Sequence, residues 1–235
     1  MSAHDQHYDG TATLAALENA RNYNAAIESL LAQVPGIATA RVLDVGAGTG
    51  EFSRRIAKMG ASVSCVEPDA TLRTALASEG FTCFARIEDA PDGFDAVTMV
   101  NVLEHIADDA AALVELRARL RPEGTLFVFV PALQVLYSRF DRAIGHHRRY
   151  TRSSLRTVVT TSGFRIDRLR WFDVLGVPTA LLFRATRRSS PSAASVRIFD
   201  RFVFPLSQRL DRLQIVGKNT YCVAVPSGRV VPASA

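Results

Sequence analysis

Apolar positions along the chain follow two alternating periods. From Thr11 to Val34 they recur at helical spacing, at Leu14, Leu17, Ile27, Leu30 and Leu31, and the stretch ends at Pro35-Gly36. One helix or two are predicted, with Arg21-Asn-Tyr-Asn24 as a weak point because Asn and Tyr are poor helix formers. Short apolar runs predict strands over 42–45, 62–66, 81–85, 94–100 and 125–130, and an alternating run predicts a sixth over 165–171. Helical patterns fall between them, from Glu51 (Phe52, Ile56, Met59) and over 70–78, 108–120 and 151–162. Arg121-Pro-Glu-Gly124 reads as a turn. After an apolar stretch over 173–183 and a Pro/Ser-rich linker over 189–195, a helix is predicted over 196–213. Its apolar face is Phe199, Phe202, Val203 and Leu206, and a last strand follows over 219–225. Strands separated by helices predict an α/β chain with a largely parallel sheet. Residues 1–10 are polar and expected to be disordered, and the tail 226–235 to be frayed.

Composition narrows the class. The 235 residues suit one large α/β domain, and a 48% hydrophobic content fills a substantial core. No apolar run reaches about 18 residues, so no membrane span is expected. Met1-Ser-Ala-His-Asp lacks the pattern of a secretory leader, so a cytoplasmic location is expected. Cys65, Cys83 and Cys222 match no metal spacing and read as small buried hydrophobes of a reduced compartment. The net charge is +5, almost all of it from Arg, and 139–188 holds twelve Arg against three Asp. An anionic substrate, a nucleic acid or an acidic surface could each use that patch, although a solvated face explains it as well. No basic run with interleaved aromatics is present, so nucleic acid is not the expected partner.

Candidate chemistry begins at Arg41-Val-Leu-Asp-Val-Gly-Ala-Gly-Thr-Gly-Glu51. An apolar strand runs into Gly46-x-Gly48-x-Gly50 and then a helix. Glycines let the backbone turn tightly and let a ligand lie against bare main chain, or they serve packing alone. The dinucleotide fingerprint G-x-G-x-x-G/A puts a small residue where this chain has Glu51, whose carboxylate would repel a pyrophosphate. The second predicted strand ends at Glu67-Pro68, where an acid about 20 residues past the glycines can accept both hydroxyls of a ribose. The fourth ends at Asn101-Val102-Leu103-Glu104-His105-Ile106.

The glycine turn, Glu67 and the N-V-L-E-H-I stretch resemble the class I S-adenosylmethionine (SAM) dependent methyltransferases. The Phe140–Tyr150 run, ending Gly-His-His-Arg-Arg-Tyr, resembles a bacterial subfamily of them. The resemblance covers about 41–225. It implies a doubly wound, Rossmann-like seven-stranded sheet, mostly parallel with an antiparallel last strand, and helices on both faces. It implies SAM as cofactor, held by Asp44, Gly46, Ala47, Gly48, Gly50, Glu67, Pro68, Asn101, Val102 and Leu103. A helical cap over 1–40 would bring Tyr23 to the cofactor. Many members carry an acid for the adenine near position 86; this chain has Arg86, which leaves Ile87 to stack on the ring and Glu88 to reach the amine.

The 131–150 segment leaves the fifth strand and concentrates Tyr137, Asp141, His146, His147 and Tyr150; as a long connection rich in such groups it is expected to be a substrate lid. Residues 173–213 would be an insertion before the last strand. The reaction implied is methyl transfer to an oxygen or nitrogen of a small-molecule substrate. His105, His146, His147 and Tyr150 are the catalytic candidates, His because it titrates near neutral pH. Two adjacent His do not make a metal site, and none is expected. An NAD-dependent oxidoreductase and a non-catalytic interaction protein built on the SAM fold are the rival readings.

Overall fold

The computed structural model describes residues 20–186 and 192–228. Expectations for residues 1–19, for the linker over 189–191 and for the tail from 229 lie outside the described residues.

Seven strands form one sheet: β1 (Arg41–Val45), β2 (Ser62–Val66), β3 (Thr82–Phe84), β4 (Phe94–Val100), β5 (Leu120–Pro131), β6 (Phe164–Phe172) and β7 (Asn219–Pro226). Their order is β3-β2-β1-β4-β5-β7-β6. β1 to β5 run parallel, and β7 lies antiparallel between β5 and β6. The chain leaves β1 toward one edge and returns at β4 toward the other. The switch in direction therefore falls between β1 and β4, where open α/β sheets bind ligands past the carboxyl ends.

Both faces of the sheet are covered, which is why the central strands read as unbroken apolar runs. Successive residues enter opposite layers. Leu43, Val97, Leu126, Val128 and Val130 pack with Leu113, Leu116, Leu155 and Val159 of two helices, Asp109–Arg119 and Arg152–Thr161. On the other face Val42, Phe127 and Phe129 meet Ile27 and Leu31 of the helix Arg21–Leu31 and Ile56 of the helix Glu51–Lys58. Cys65 and Cys222 are buried and Cys83 half-buried, all as free thiols.

Three local expectations need correction. Arg121-Pro-Glu-Gly124 is not a separate turn but part of β5, absorbed by a register shift against β4 between Phe94 and Ala96. The linker ends sooner than expected, since Ser192 caps the helix Ala193–Ile198. The helix predicted over 196–213 is broken by a π turn at Phe199–Val203 before Phe204–Leu210. The extra residue rotates the apolar face. Phe204 is fully buried, while Phe202 and Leu206 are exposed. The π turn also positions Asp200, whose carboxylate accepts the N–H groups of Asn22 and Tyr23. That contact caps the helix Arg21–Leu31, whose own N-cap, Ala20, offers no side-chain acceptor. It explains why a helix starts at the weak Arg21-Asn-Tyr-Asn24 stretch.

Candidate active site

The turn after β1 uses its three glycines for three purposes. All have positive φ, which favours residues without a Cβ. A Cβ on Gly46 would lie 2.5 Å from Val102, and one on Gly50 2.5 Å from Leu76. Both are packing positions, and Val102 thereby locks the turn to the end of β4. A Cβ on Gly48 would meet nothing within 4 Å. Gly48 is thus the open floor of the turn, half-buried beside the first N–H groups of the helix Glu51–Lys58. Gly46 and Ala47 both donate to Val66 O, which ties the turn to β2. Asp44 does not face this floor. It is buried in β1, with its carboxylate accepting Ser53 Oγ (2.6 Å) and Thr98 Oγ1 (2.8 Å). Burial raises its pKa to about 6. These two bonds make Asp44 an internal brace between β1, β4 and the helix Glu51–Lys58.

Glu67 leaves β2 toward the same floor. Its Oε2 accepts Gly48 N–H (2.7 Å) and its Oε1 accepts Asp69 N–H (2.9 Å). Burial raises its pKa against those bonds. Each oxygen retains a second lone pair for another donor. Pro68 is exposed beside it, and Ile87 is half-buried against the core. The Glu88 carboxylate stands at the surface paired with Arg86, which also binds Asp89. Tyr23 packs at the other end of the first helix's contacts with the sheet. Its ring is 5.3 Å from Phe172 and 5.0 Å from Phe204, and its hydroxyl donates to Asn219 Oδ1 (2.8 Å). It joins the first helix to the β6–β7 side rather than to the glycine turn.

At the end of β4, Asn101 adopts φ 56° with its N–H on Phe129 O. This strained conformation lets the chain turn immediately at the switch point. Leu103 is fully buried in the core. Glu104, which the N-V-L-E-H-I resemblance places with His105 facing the substrate, is the unusual group. It is fully buried, and neither carboxylate oxygen accepts a hydrogen bond from another residue. Burial pushes its pKa up to about 8. His105 follows it, lowered to about 4 by burial and by the neighbouring imidazoles of His146 and His147.

The segment after β5 folds back onto this turn. Ala132 bridges to Tyr150, and His147 N–H donates to Glu104 O (2.8 Å). His146 is buried with its ring 4.5 Å from that of His105 and its Nε2 3.8 Å from Glu104 Oε1. Its Nδ1 meets Asp141 Oδ1 at 2.9 Å. Burial would raise the Asp141 pKa, but the His146 bond and the Arg149 charge hold it at about 2. The sequence places Asp141 in the lid segment without a role of its own; its signal is a lone acid five residues before His146 in a basic loop. The other two loop candidates lie outside this cluster. His147 holds its imidazole in solvent. Tyr150 is 2% exposed and donates to Asp109 Oδ2 (2.7 Å), with Leu103 O at 3.3 Å. It braces the loop from inside the core. Tyr150→Phe is therefore expected to lower stability by about 1–2 kcal/mol, the loss of one buried hydrogen bond, with turnover per folded molecule unchanged. Thermal melting alongside an activity assay checks this; a turnover loss without a melting shift would return Tyr150 to the site.

Comparison with known proteins supplies the family. The family model described as a methyltransferase domain matches residues 16–169. The ubiquinone biosynthesis O-methyltransferase of Xanthomonas campestris pv. campestris is 32% identical over 100 residues, 38% of this chain and 42% of that protein. The enzyme of the same name from Pseudomonas aeruginosa is 32% identical over 104 residues, 40% and 45% of the two chains. The chain thus spans less than half the length of these curated relatives. The SAM-dependent methyltransferase of Mesorhizobium loti shares the fold at a TM-score of 0.58 and 19% identity, covering 84% of this chain and 95% of that one. Phosphoethanolamine N-methyltransferase 2 of Haemonchus contortus, solved with SAM, does so at 0.60 and 17%, covering 88% and 52%. Fold, glycine turn and family model agree: the chain belongs to the class I SAM-dependent methyltransferases.

Proposed function

We propose that this protein transfers a methyl group from SAM to an oxygen of a small-molecule substrate. The observation that carries this reading is the juxtaposition of two sites at the sheet's switch point. The glycine turn and Glu67 lie on the β1–β2 side, and the Glu104–His105–His146 cluster lies where the β4 end meets the loop after β5. The residues of the first fit SAM. The open flank of Gly48 admits a ligand to bare main chain, Glu67 offers lone pairs to the ribose diol, and no residue demands a phosphate. Asn101, Val102 and Ile87 would border the nucleoside. The unit over 41–225 would suffice for this chemistry, with the helix Arg21–Leu31 as part of a cap and the 131–150 segment closing the acceptor side.

The bound cofactor supplies an already activated methyl group, so the protein's main task is alignment. The loop excludes water from the acceptor, and the His105 and His146 imidazoles orient it in line with the methyl group. An oxygen acceptor must also lose its proton, and the polar cluster is where that loss is favoured. The likeness to O-methyltransferases supports oxygen over nitrogen as the acceptor. Among the described residues no helix is long and apolar enough to cross a membrane.

Purified protein given methyl-labelled SAM and fractionated cell metabolites should place label on a small molecule. SAM binding with no labelled product from any small-molecule fraction would sink the proposal. His146→Ala should lower turnover roughly ten-fold or more, the lower range for losing a positioned polar group, while leaving SAM affinity nearly unchanged. His147→Ala should cost clearly less, since its side chain stands in solvent. Equal losses in the two variants would contradict the placement of the acceptor beside His146.

A further inference from the structure

We propose that Glu104, His105 and His146 bind one divalent transition-metal cation. The ligand atoms of these three residues all lie within 4.8 Å of one another. In a site with each ligand about 2.0–2.2 Å from the metal, neighbouring ligand atoms are about 3–4 Å apart. Side-chain shifts of about an ångström would close the shell, and His146 Nε2 and Glu104 Oε1 already stand 3.8 Å apart.

Three further observations point to a cation. Glu104 is fully buried, with both oxygens unsatisfied by any other residue. A buried carboxyl without a donor is costly, and a cation is the partner that would satisfy it. Second, both imidazoles already have an outer partner. His146 Nδ1 is hydrogen-bonded to Asp141, and His105 to the Gly145 backbone. Asp141 is itself fixed by Ser138 and Arg149. Such outer bonds orient metal-binding imidazoles, and the proton on His146 Nδ1 leaves the Nε2 lone pair turned toward Glu104. Third, the charges permit it: the nearby Arg149 guanidinium is engaged by Asp141, which leaves an ionised Glu104 without a cationic partner of its own among the described residues.

Two nitrogens and one carboxylate suit Zn²⁺, Mn²⁺ or Co²⁺ better than Mg²⁺ or Ca²⁺. This revises the expectation of no metal. The partners of His146 come from the turn after β4, not from the adjacent His147. The catalytic consequence rests on the proposed methyl transfer. A substrate hydroxyl occupying an open position on the cation would ionise more readily, its proton passing to water. The O–C bond would then form as the sulfonium C–S bond breaks with its electron pair going to sulfur.

The test is calorimetric titration of chelator-stripped, full-length protein with Zn²⁺, Mn²⁺ and Mg²⁺, with a parallel SAM titration. One Zn²⁺ or Mn²⁺ should bind per chain, at least ten-fold tighter than Mg²⁺. Glu104→Gln and His146→Asn should each weaken that binding ten-fold or more. Glu104→Gln keeps the side-chain shape without the buried charge, so it should melt no earlier than the parent in the absence of metal. If either variant unfolds, the visible spectrum of Co²⁺ in the parent decides, because nitrogen ligation gives a d–d signature distinct from aqueous Co²⁺. Absence of stoichiometric uptake, an unaltered affinity in Glu104→Gln or an aqueous Co²⁺ spectrum would each overturn the site. Protein that takes SAM but no cation would refute this site alone. Protein that takes a cation but no SAM would refute the functional proposal and leave the site standing.

Discussion

Gly48→Val is expected to weaken SAM binding at least about 100-fold while the domain still folds. Of the three glycines in the turn, Gly48 alone presents an open flank, with nothing within 4 Å of the position a Cβ would take. A branched side chain there would occupy the space through which a ligand reaches the main chain. The substitution also puts a β-branched residue at φ 55°, a left-handed conformation that costs on the order of 1–2 kcal/mol. That cost is small beside a steric block, so circular dichroism should report a native fold with a modestly lower melting temperature. Equivalent changes at Gly46 or Gly50 should do the reverse and damage stability first, because their flanks are filled by Val102 and Leu76. Calorimetric titration with SAM separates the cases. Parent-like affinity in Gly48→Val would mean that the turn only packs.

Glu67→Ala should weaken SAM binding by about 1.5–3 kcal/mol, the value of hydrogen bonds to a charged acceptor, which is about 10- to 150-fold. The carboxylate has two tasks. It holds the Gly48 and Asp69 N–H groups, and it would offer its remaining lone pairs to the ribose diol. Glu67→Gln separates them. The amide retains one oxygen acceptor for the turn but cannot serve both hydroxyls, so it should fall between parent and Ala. If Glu67→Gln and Glu67→Ala bind SAM as the parent does, with melting unchanged, Glu67 has no part in the site.

Apolar periodicity was enough to read an α/β chain with six strands after the N-terminal helix and a last one near the end, and the resemblance carried by the glycine turn, Glu67 and the N-V-L-E-H-I stretch implied the antiparallel place of the seventh. These features are local. A strand buried on both faces must be apolar throughout, and a turn with positive φ must use glycine, so each leaves its mark within a few residues. The same spacings brought Glu67 and Gly48 together, 2.7 Å apart in the structure.

What only the tertiary structure decided is the orientation and surroundings of individual polar side chains. Asp44 lies within β1 and Glu67 just past β2, yet the first is held by the Ser53 and Thr98 hydroxyls and the second by the N–H groups of Gly48 and Asp69. His146, His147 and Tyr150 are near neighbours in sequence, yet one lies in a buried cluster, one in solvent and one in the core. Glu104 reads as an ordinary acid in a motif; its isolation follows only when the loop after β5 folds over it and provides His146 but no donor. The first helix takes its cap from Asp200, 178 residues from Asn22. Sequence patterns report burial averaged along an element. Desolvation and hydrogen-bond partnership at one atom depend on what distant segments bring against it.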